Sequence, residues 1–304
     1  NWLVMGNSRN SYLIKNTMIF TLGNLGSKLI SFLLIPLYTN ALTTTEYGVV
    51  DLIATVGTVA APVLTLNICE SVMRFALDKD ANKEKITQIG TNLLLIGMVV
   101  GLVIFPICQS FNRISQYSVF VYFYVISLAA SQLYLCDLRG KELLVYYSIG
   151  NVLHTFFIAA LNILFLVVFK GGIEGYLNAY IIANILTATY ALIMGKGYRS
   201  FSFSGVDKKL LQRMIRYSIV LIPNSFMWWI MNSSDRVMVS SMVGIAANGI
   251  YAVSYKLPTL VSTLTTIFNQ AWSYSAIREE GTEDENEYNN KIFRTLIGIV
   301  MLIG

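Results

Sequence analysis

The chain is short of charge. Only 13% of its 304 residues are Asp, Glu, Lys or Arg, while 55% are hydrophobic; a soluble domain carries about 25% charged residues. That shortfall excludes an ordinary soluble globule and points to a chain that crosses a membrane repeatedly. Histidine is nearly absent. His154 is the one copy, set in an apolar run, so no second imidazole is available to build a metal site. The three cysteines, Cys69, Cys108 and Cys136, lie far apart, in or at the ends of apolar runs. Without metal-ligand spacing they read as small packing residues, not as a disulfide framework. There is no Gly-rich phosphate loop, acid–base carboxylate pair or nucleophile motif. ATP hydrolysis and other catalysis are therefore not expected, and neither a cofactor nor a nucleic-acid partner is called for. The first apolar run is too long for a signal peptide, lacks a small-residue cleavage site and is followed by more spans.

Long apolar sequence is what the chain has in quantity. A membrane span takes about 20 mostly apolar residues, which gives eight candidates: 12–38, 47–75, 86–111, 117–136, 143–169, 173–195, 211–243 and 249–277. The seventh is expected to be a shorter span, with an interfacial turn around 208–217 before it and a kink at Pro223. A last run, 292–304, is too short to cross, so the C-terminus reads as cut short.

Cations gather in alternate loops. One side holds Arg74, Lys79, Lys83 and Lys85, then Arg139 and Lys141, then the basic residues from Lys196 to Arg216, and finally Arg278, Lys291 and Arg294. The opposite loops hold only Arg113 and Lys170. The positive-inside rule puts the first side, and the N-terminus, in the cytoplasm. The acidic run 279–287 reads as a solvated linker on that side. The small, polar and aromatic loop 196–209 marks a boundary between an N-terminal bundle of six helices, 1–200, and a partial C-terminal bundle, 201–304.

The two halves share a short repeat. Glu46-Tyr47-Gly48-Val49-Val50-Asp51-Leu52 aligns with Ala247-Asn248-Gly249-Ile250-Tyr251-Ala252-Val253. Each follows a long span and a short outer loop, so Gly48 and Gly249 are expected to serve tight outer turns. Such repeats are a recurring construction in transporters.

Polar residues recur at steps of three and four, the mark of a helix face. Span one carries Thr17, Thr21, Asn24, Lys28 and Ser31, and span two Asp51, Thr55, Thr58, Pro62 and Thr65. Span seven carries Ser225, Trp229, Asn232 and Arg236, and span eight Lys256, Thr259, Thr263, Thr266, Gln270 and Ser273. Membrane helices also use Ser and Thr for packing, but stripes on the first two spans of both halves point to a wet cavity between the halves. A charge inside a span costs about 2.5–3.5 kcal/mol on insertion scales and is usually functional or paired. Lys28 and Lys256 sit on these stripes, where a cation attracts anionic cargo such as a diphosphate. Asp235 and Arg236 point about 100° apart on a helix and need not neutralise one another; an ion pair with another helix is the alternative.

Two stretches, SSDRVMVSSMVGIAANGIYAVSYKLP and LISFLLIPLYTNALTTTEYGVVDL, resemble the polysaccharide-transporter branch of the multidrug/oligosaccharidyl-lipid/polysaccharide exporter superfamily, the Wzx-type repeat-unit flippases. The similarity covers nearly the whole chain. It implies an all-α, polytopic protein of two pseudo-symmetric six-helix bundles around a central cavity, here with the second bundle incomplete. It implies a flippase, not an enzyme, that moves undecaprenyl-diphosphate-linked oligosaccharide across the bacterial inner membrane by alternating access, for O-antigen, lipopolysaccharide or capsule synthesis. The implied partners are that lipid-linked cargo, the bilayer and other polysaccharide-assembly proteins. Lys28, Lys256 and Arg236 become the cationic cavity residues, with Asn24, Thr55, Thr259, Thr263 and Gln270 as polar lining. Asp51 and Asp235 become ion-coupling or counter-charge sites. The alternatives are a cation-coupled drug exporter of the same superfamily, which favours acidic cavity residues, and a polysaccharide polymerase or ligase, which calls for a large outer loop this chain lacks.

Overall fold

The computed structural model describes residues 30–78, 80–109, 115–202, 205–256, 258, 259 and 262, without the side chains of 105–109. Lys28, Asn24, Thr263 and Gln270, and most of spans one and eight, lie outside the described residues. Within them the chain is helical, with no strand. It divides into two compact units, Asn1–Ala252 and Val253–Gly304.

In the first unit the helices are α1 (Ile35–Ala41), α2 (Thr44–Leu64), α3 (Ile68–Ala76), α4 (Lys83–Gln109), α5 (Ser118–Gly140), α6 (Leu144–Asn162), α7 (Gly172–Met194) and α8 (Lys208–Met242). Helix α9 (Ile245–Ser254) carries the chain into the second unit. There, Thr259 Oγ1 donates to the Tyr255 carbonyl at 2.8 Å, a turn of helix closing on itself. Among the described residues five stretches are long and apolar enough to cross a membrane: Thr44–Leu64, Lys83–Ile104, Ser115–Gly140, Leu144–Val168 and Gly172–Met194. The protein is a multi-pass membrane protein, and the apolar residues α4 and α6 expose, such as Val99, Val103, Val152 and Phe156, have lipid as their natural neighbour.

Local chemistry sets the helix ends. Thr43 accepts the Glu46 N–H at 3.2 Å while the Glu46 carboxylate accepts the Thr43 N–H at 2.8 Å, a reciprocal cap that starts α2. At the far end span 47–75 departs from expectation, because it is two helices. Leu66 and Asn67 both take left-handed backbone, with φ of 52° and 53°, and the helix restarts as α3. Apolar residues continue on both sides of this point, so hydropathy averaged over a span does not mark the break. Span 211–243 differs in the other direction. No interfacial turn precedes it; α8 is one helix of 35 residues, with Pro223 inside and Asp207 capping its start. At 1.5 Å per residue it is about 52 Å long, more than the roughly 30 Å of a hydrocarbon core, so its basic first turns extend past the apolar layer.

Helix α5 is the centre of the first unit, with Val125, Ile126, Ala129, Leu133 and Leu138 buried against its neighbours. Its C-terminal end is tied by a buried ion pair. Lys141 Nζ lies 2.6 Å from Asp137 and donates to the Gly195 carbonyl at the end of α7 at 2.8 Å. Thr87 of α4 donates to the same carboxylate at 2.6 Å. Four hydrogen-bonding groups thus join three helices at one point. The cysteines correct the packing-only reading: Cys69 of α3 and Cys136 of α5 form a disulfide, with Cα atoms 5.7 Å apart. Sequence spacing could not pair them, because the α3–α5 contact is tertiary.

Candidate functional site

The two copies of the repeat meet. Gly48 lies inside α2 and Gly249 inside α9, so neither makes the outer turn expected of it; Gly244, with φ of 134°, is the turn residue between α8 and α9. Both glycines are required by approach. A Cβ on Gly48 would overlap the carbonyl oxygen of Ile245, and a Cβ on Gly249 would overlap that of Thr44 and come within 3.0 Å of the Gly48 nitrogen. Thr44 and Ile245 are themselves equivalent positions in the repeat. The contacts are therefore reciprocal, as a two-fold relation between the copies requires, and only Gly permits backbones this close.

One turn further along α2 the symmetry is broken by charge. Arg236 Nη1 on α8 donates to Asp51 Oδ1 at 2.7 Å, with side-chain exposures of 18% and 7%. Asn248 of α9, fully buried, donates to the Gly48 carbonyl at 3.1 Å and to Asp51 Oδ2 at 3.4 Å. Both carboxylate oxygens of Asp51 are thus engaged, one by each of two helices. Asp235 accepts the Tyr251 hydroxyl hydrogen from α9 and the Arg236 backbone N–H at 2.9 Å. In the repeat, Asp51 corresponds to Ala252 and Arg236 to Ile35: the backbone is duplicated and the charge is not.

The polar stripes of spans two and seven face one another along this seam. Trp229 Nε1–H donates to the Thr55 carbonyl at 2.9 Å, Asn67 donates to Ser225 at 3.2 Å, and Ser71 donates to the Met214 carbonyl at 2.9 Å. These are helix-to-helix bonds, the packing role that Ser, Thr and Asn commonly take in membranes. In this conformation the Arg236 guanidinium is held by Asp51. Thr55 is buried on the same seam. Lys256 and Thr259 lie in helical turns of the second unit.

Tyr251 and Asn248 belong to this network yet were not expected in it. Their signal was present: two hydrogen-bonding side chains three residues apart on an apolar helix. A cluster of tyrosines adjoins, with Tyr38 5.2 Å from Tyr176 and Tyr176 stacked at 4.7 Å on Tyr180. Near the start of α8 a cavity of about 540 Å³ lies between the end of α3 and the start of α4. Its lining mixes Asp78, Asp80 and Asp207 with Lys85, Lys209 and Arg213, so it is not a cationic pocket. Among the described residues no cluster of His, Cys, Asp and Glu could hold a metal ion.

The chain is a multi-pass helical bundle whose repeat copies cross at paired glycines, and solved structures share its fold. A MATE protein crystallised in complex with MaD5 matches with a TM-score of 0.57 at 14% identity, over 87% of this chain and 71% of that one. An outward-facing multidrug resistance MATE family transporter of the MOP superfamily gives 0.56 at 11% identity, over 89% and 72%. The chain belongs to the polysaccharide biosynthesis protein family, whose model matches residues 13–274. The resemblance drawn from residues 29–52 and 233–258 is borne out. No curated protein matches the chain.

Proposed function

We propose that this protein is a flippase for lipid-linked oligosaccharide. It moves undecaprenyl-diphosphate-linked sugar units across the bacterial inner membrane by alternating access, to supply surface polysaccharide such as O-antigen, capsule or lipopolysaccharide. Membership of the polysaccharide biosynthesis protein family carries this reading, and the MATE-like fold supports it with a scaffold suited to moving cargo. Two bundles, 1–200 and 201–304, form the halves of the transporter, and the N-terminus is cytoplasmic. The bilayer and other polysaccharide-assembly proteins are its partners, and the reaction makes and breaks no bond.

Lys28 and Lys256 are the cations that receive the diphosphate. Asn24, Thr55, Thr259, Thr263 and Gln270 offer hydrogen bonds to sugar hydroxyls. Arg236 joins the cationic set when it parts from Asp51, while Asp51 and Asp235 act as counter-charges or ion-coupling sites. In a strain lacking its own copy, the full-length protein is expected to restore surface polysaccharide. The Lys28→Ala/Lys256→Ala double variant should abolish export at unchanged protein level, with Arg at either position the milder change. Normal export by the double variant would sink this assignment.

The MATE-like fold keeps one other reading in play, a cation-coupled drug exporter. Export of lipophilic cations by the protein, without polysaccharide export, would favour it.

A further inference from the structure

Away from the crossing of α2, α8 and α9, the one imidazole of the chain sits among α5, α6 and α7. From Leu144 to His154 is about 15 Å along α6 at 1.5 Å per residue, well within a hydrocarbon core of about 30 Å. His154 Nε2 lies 2.9 Å from Asn184 Oδ1 on α7, and Asn184 is 1% exposed.

The surrounding bonds assign the hydrogen to one ring nitrogen. Ser127 Oγ donates its single hydrogen to the Tyr124 carbonyl at 3.0 Å. With that assignment it accepts from Asn184, whose Nδ2 lies 3.4 Å away. That turns Asn184 Oδ1 toward His154 and also toward Ser131 Oγ at 3.4 Å. A carbonyl oxygen only accepts, so the imidazole donates from Nε2 and its lone pair stands on Nδ1.

We propose that His154 is a proton-binding site part-way along α6, taking up a proton at Nδ1 while Nε2–H stays on Asn184. Imidazole is the side chain whose ordinary pKa lets it change charge near neutral pH, and an ionisable group inside a span is functional by default. Uptake makes the bond to Asn184 charge-assisted, roughly twice as strong as its neutral form, and so tightens α6 against α7. The charged groups of the helices packed on α6 are otherwise occupied or distant in sequence. Asp137 is held by Lys141 and Thr87, the Arg139 guanidinium lies 5.4 Å from the Tyr147 ring centroid, and Glu174 is in the first turn of α7. Of the tyrosines there, Tyr134 meets Thr91 at 3.5 Å, Tyr190 donates to the Tyr146 carbonyl at 3.3 Å, and Tyr124 and Tyr180 pair with each other. Protonation adds a positive charge to the ring. Any coupling of that charge to transport rests on the function proposed above; the proton binding itself does not.

The test uses untagged full-length protein in lipid nanodiscs, labelled with 15N-histidine, with His154 assigned by loss of its signal in His154→Gln. The expected result is protonation of Nδ1 with a midpoint within about pH 5–8, with Nε2 protonated throughout. Asn184→Asp, which sets a carboxylate against the ring, should raise the midpoint by about one unit or more. A ring that stays neutral from about pH 4.5 to 8.5 would be a structural histidine and overturns the proposal, as would a midpoint indifferent to Asn184→Asp. Neither measurement involves cargo, so failure here is distinct from failure of the flippase reading.

Discussion

At the scale of single residues, the Asp51–Arg236 pair is the most consequential contact described. Its oxygens and nitrogens are mostly screened from solvent, with 7% and 18% exposure, so removing one partner leaves a charge uncompensated in a poor solvent for ions. Asp51→Asn is expected to destabilise the protein by about 3–5 kcal/mol, read as a lowered Tm in detergent. The double variant Asp51→Asn/Arg236→Gln should recover part of the loss, with a coupling of about 0.5–3 kcal/mol; strictly additive losses would mean the pair is not formed. The two charges were legible in the sequence, because Asp and Arg stand out in an apolar helix. Their pairing was not, since periodicity says which face a residue shares on its own helix and nothing about a partner on another. Asn248 and Tyr251 escaped for a related reason: uncharged polar residues raise no alarm in a membrane helix until their neighbours are known. Lys28, the residue on which the proposed cargo site most depends, was singled out by the same logic as Arg236 and lies outside the described residues.

At the scale of elements, the crossing of α2 and α9 depends on two glycines whose added Cβ would meet backbone, which cannot swing aside. Gly48→Ala and Gly249→Ala should each cost about 1–3 kcal/mol and do so alike, because the contacts are reciprocal. Gly101→Ala should be much milder, since its nearest neighbour is a Tyr122 side-chain atom at 3.1 Å. Equal Tm losses at all three would contradict the account. The repeat that aligns these glycines was readable, but the reason for glycine was misread as turn geometry. A Gly before an apolar run fits both explanations, and only the approach of a distant backbone separates them. The break at Leu66–Asn67 was likewise missed, because a single polar residue such as Asn67 is averaged out over a span-length window, although Asn favours left-handed backbone.

The start of α8 offers a pH test. The backbone N–H groups of Leu210 and then Lys209 hold the Asp207 carboxyl below the ordinary carboxylate value, helped by nearby Lys85. The ionised cap therefore stabilises the helix at neutral pH, and that contribution is lost as pH falls through the lowered value. Asp207→Asn keeps an accepting oxygen without the titration. Its Tm difference from the parent protein should shrink on acidification below about pH 4; a difference independent of pH would show that the charge plays no part.

At the scale of the whole molecule, composition alone excluded a soluble protein, and apolar length located spans 86–111, 117–136, 143–169 and 173–195 close to α4 to α7. Those helices were legible because each is bounded by polar loops, although span 143–169 changes from α-helix to π-helix at Ile163–Val168, a change that hydropathy does not mark. Interior geometry was far less so. The bonds among Asp137, Lys141, Thr87 and Gly195 and the disulfide between Cys69 and Cys136 join segments that no local pattern connects. Family membership and fold describe the scaffold; the cargo is the claim still to be tested.

The most direct measurement reconstitutes full-length protein in proteoliposomes and follows translocation of fluorescent undecaprenyl-diphosphate-linked oligosaccharide across the bilayer. The account predicts that the lipid-linked sugar reaches the opposite leaflet well above the protein-free rate, and that Lys28→Ala/Lys256→Ala removes this activity while the protein stays folded. Translocation at the protein-free rate by folded parent protein, under either sign of an imposed ion gradient, would contradict it.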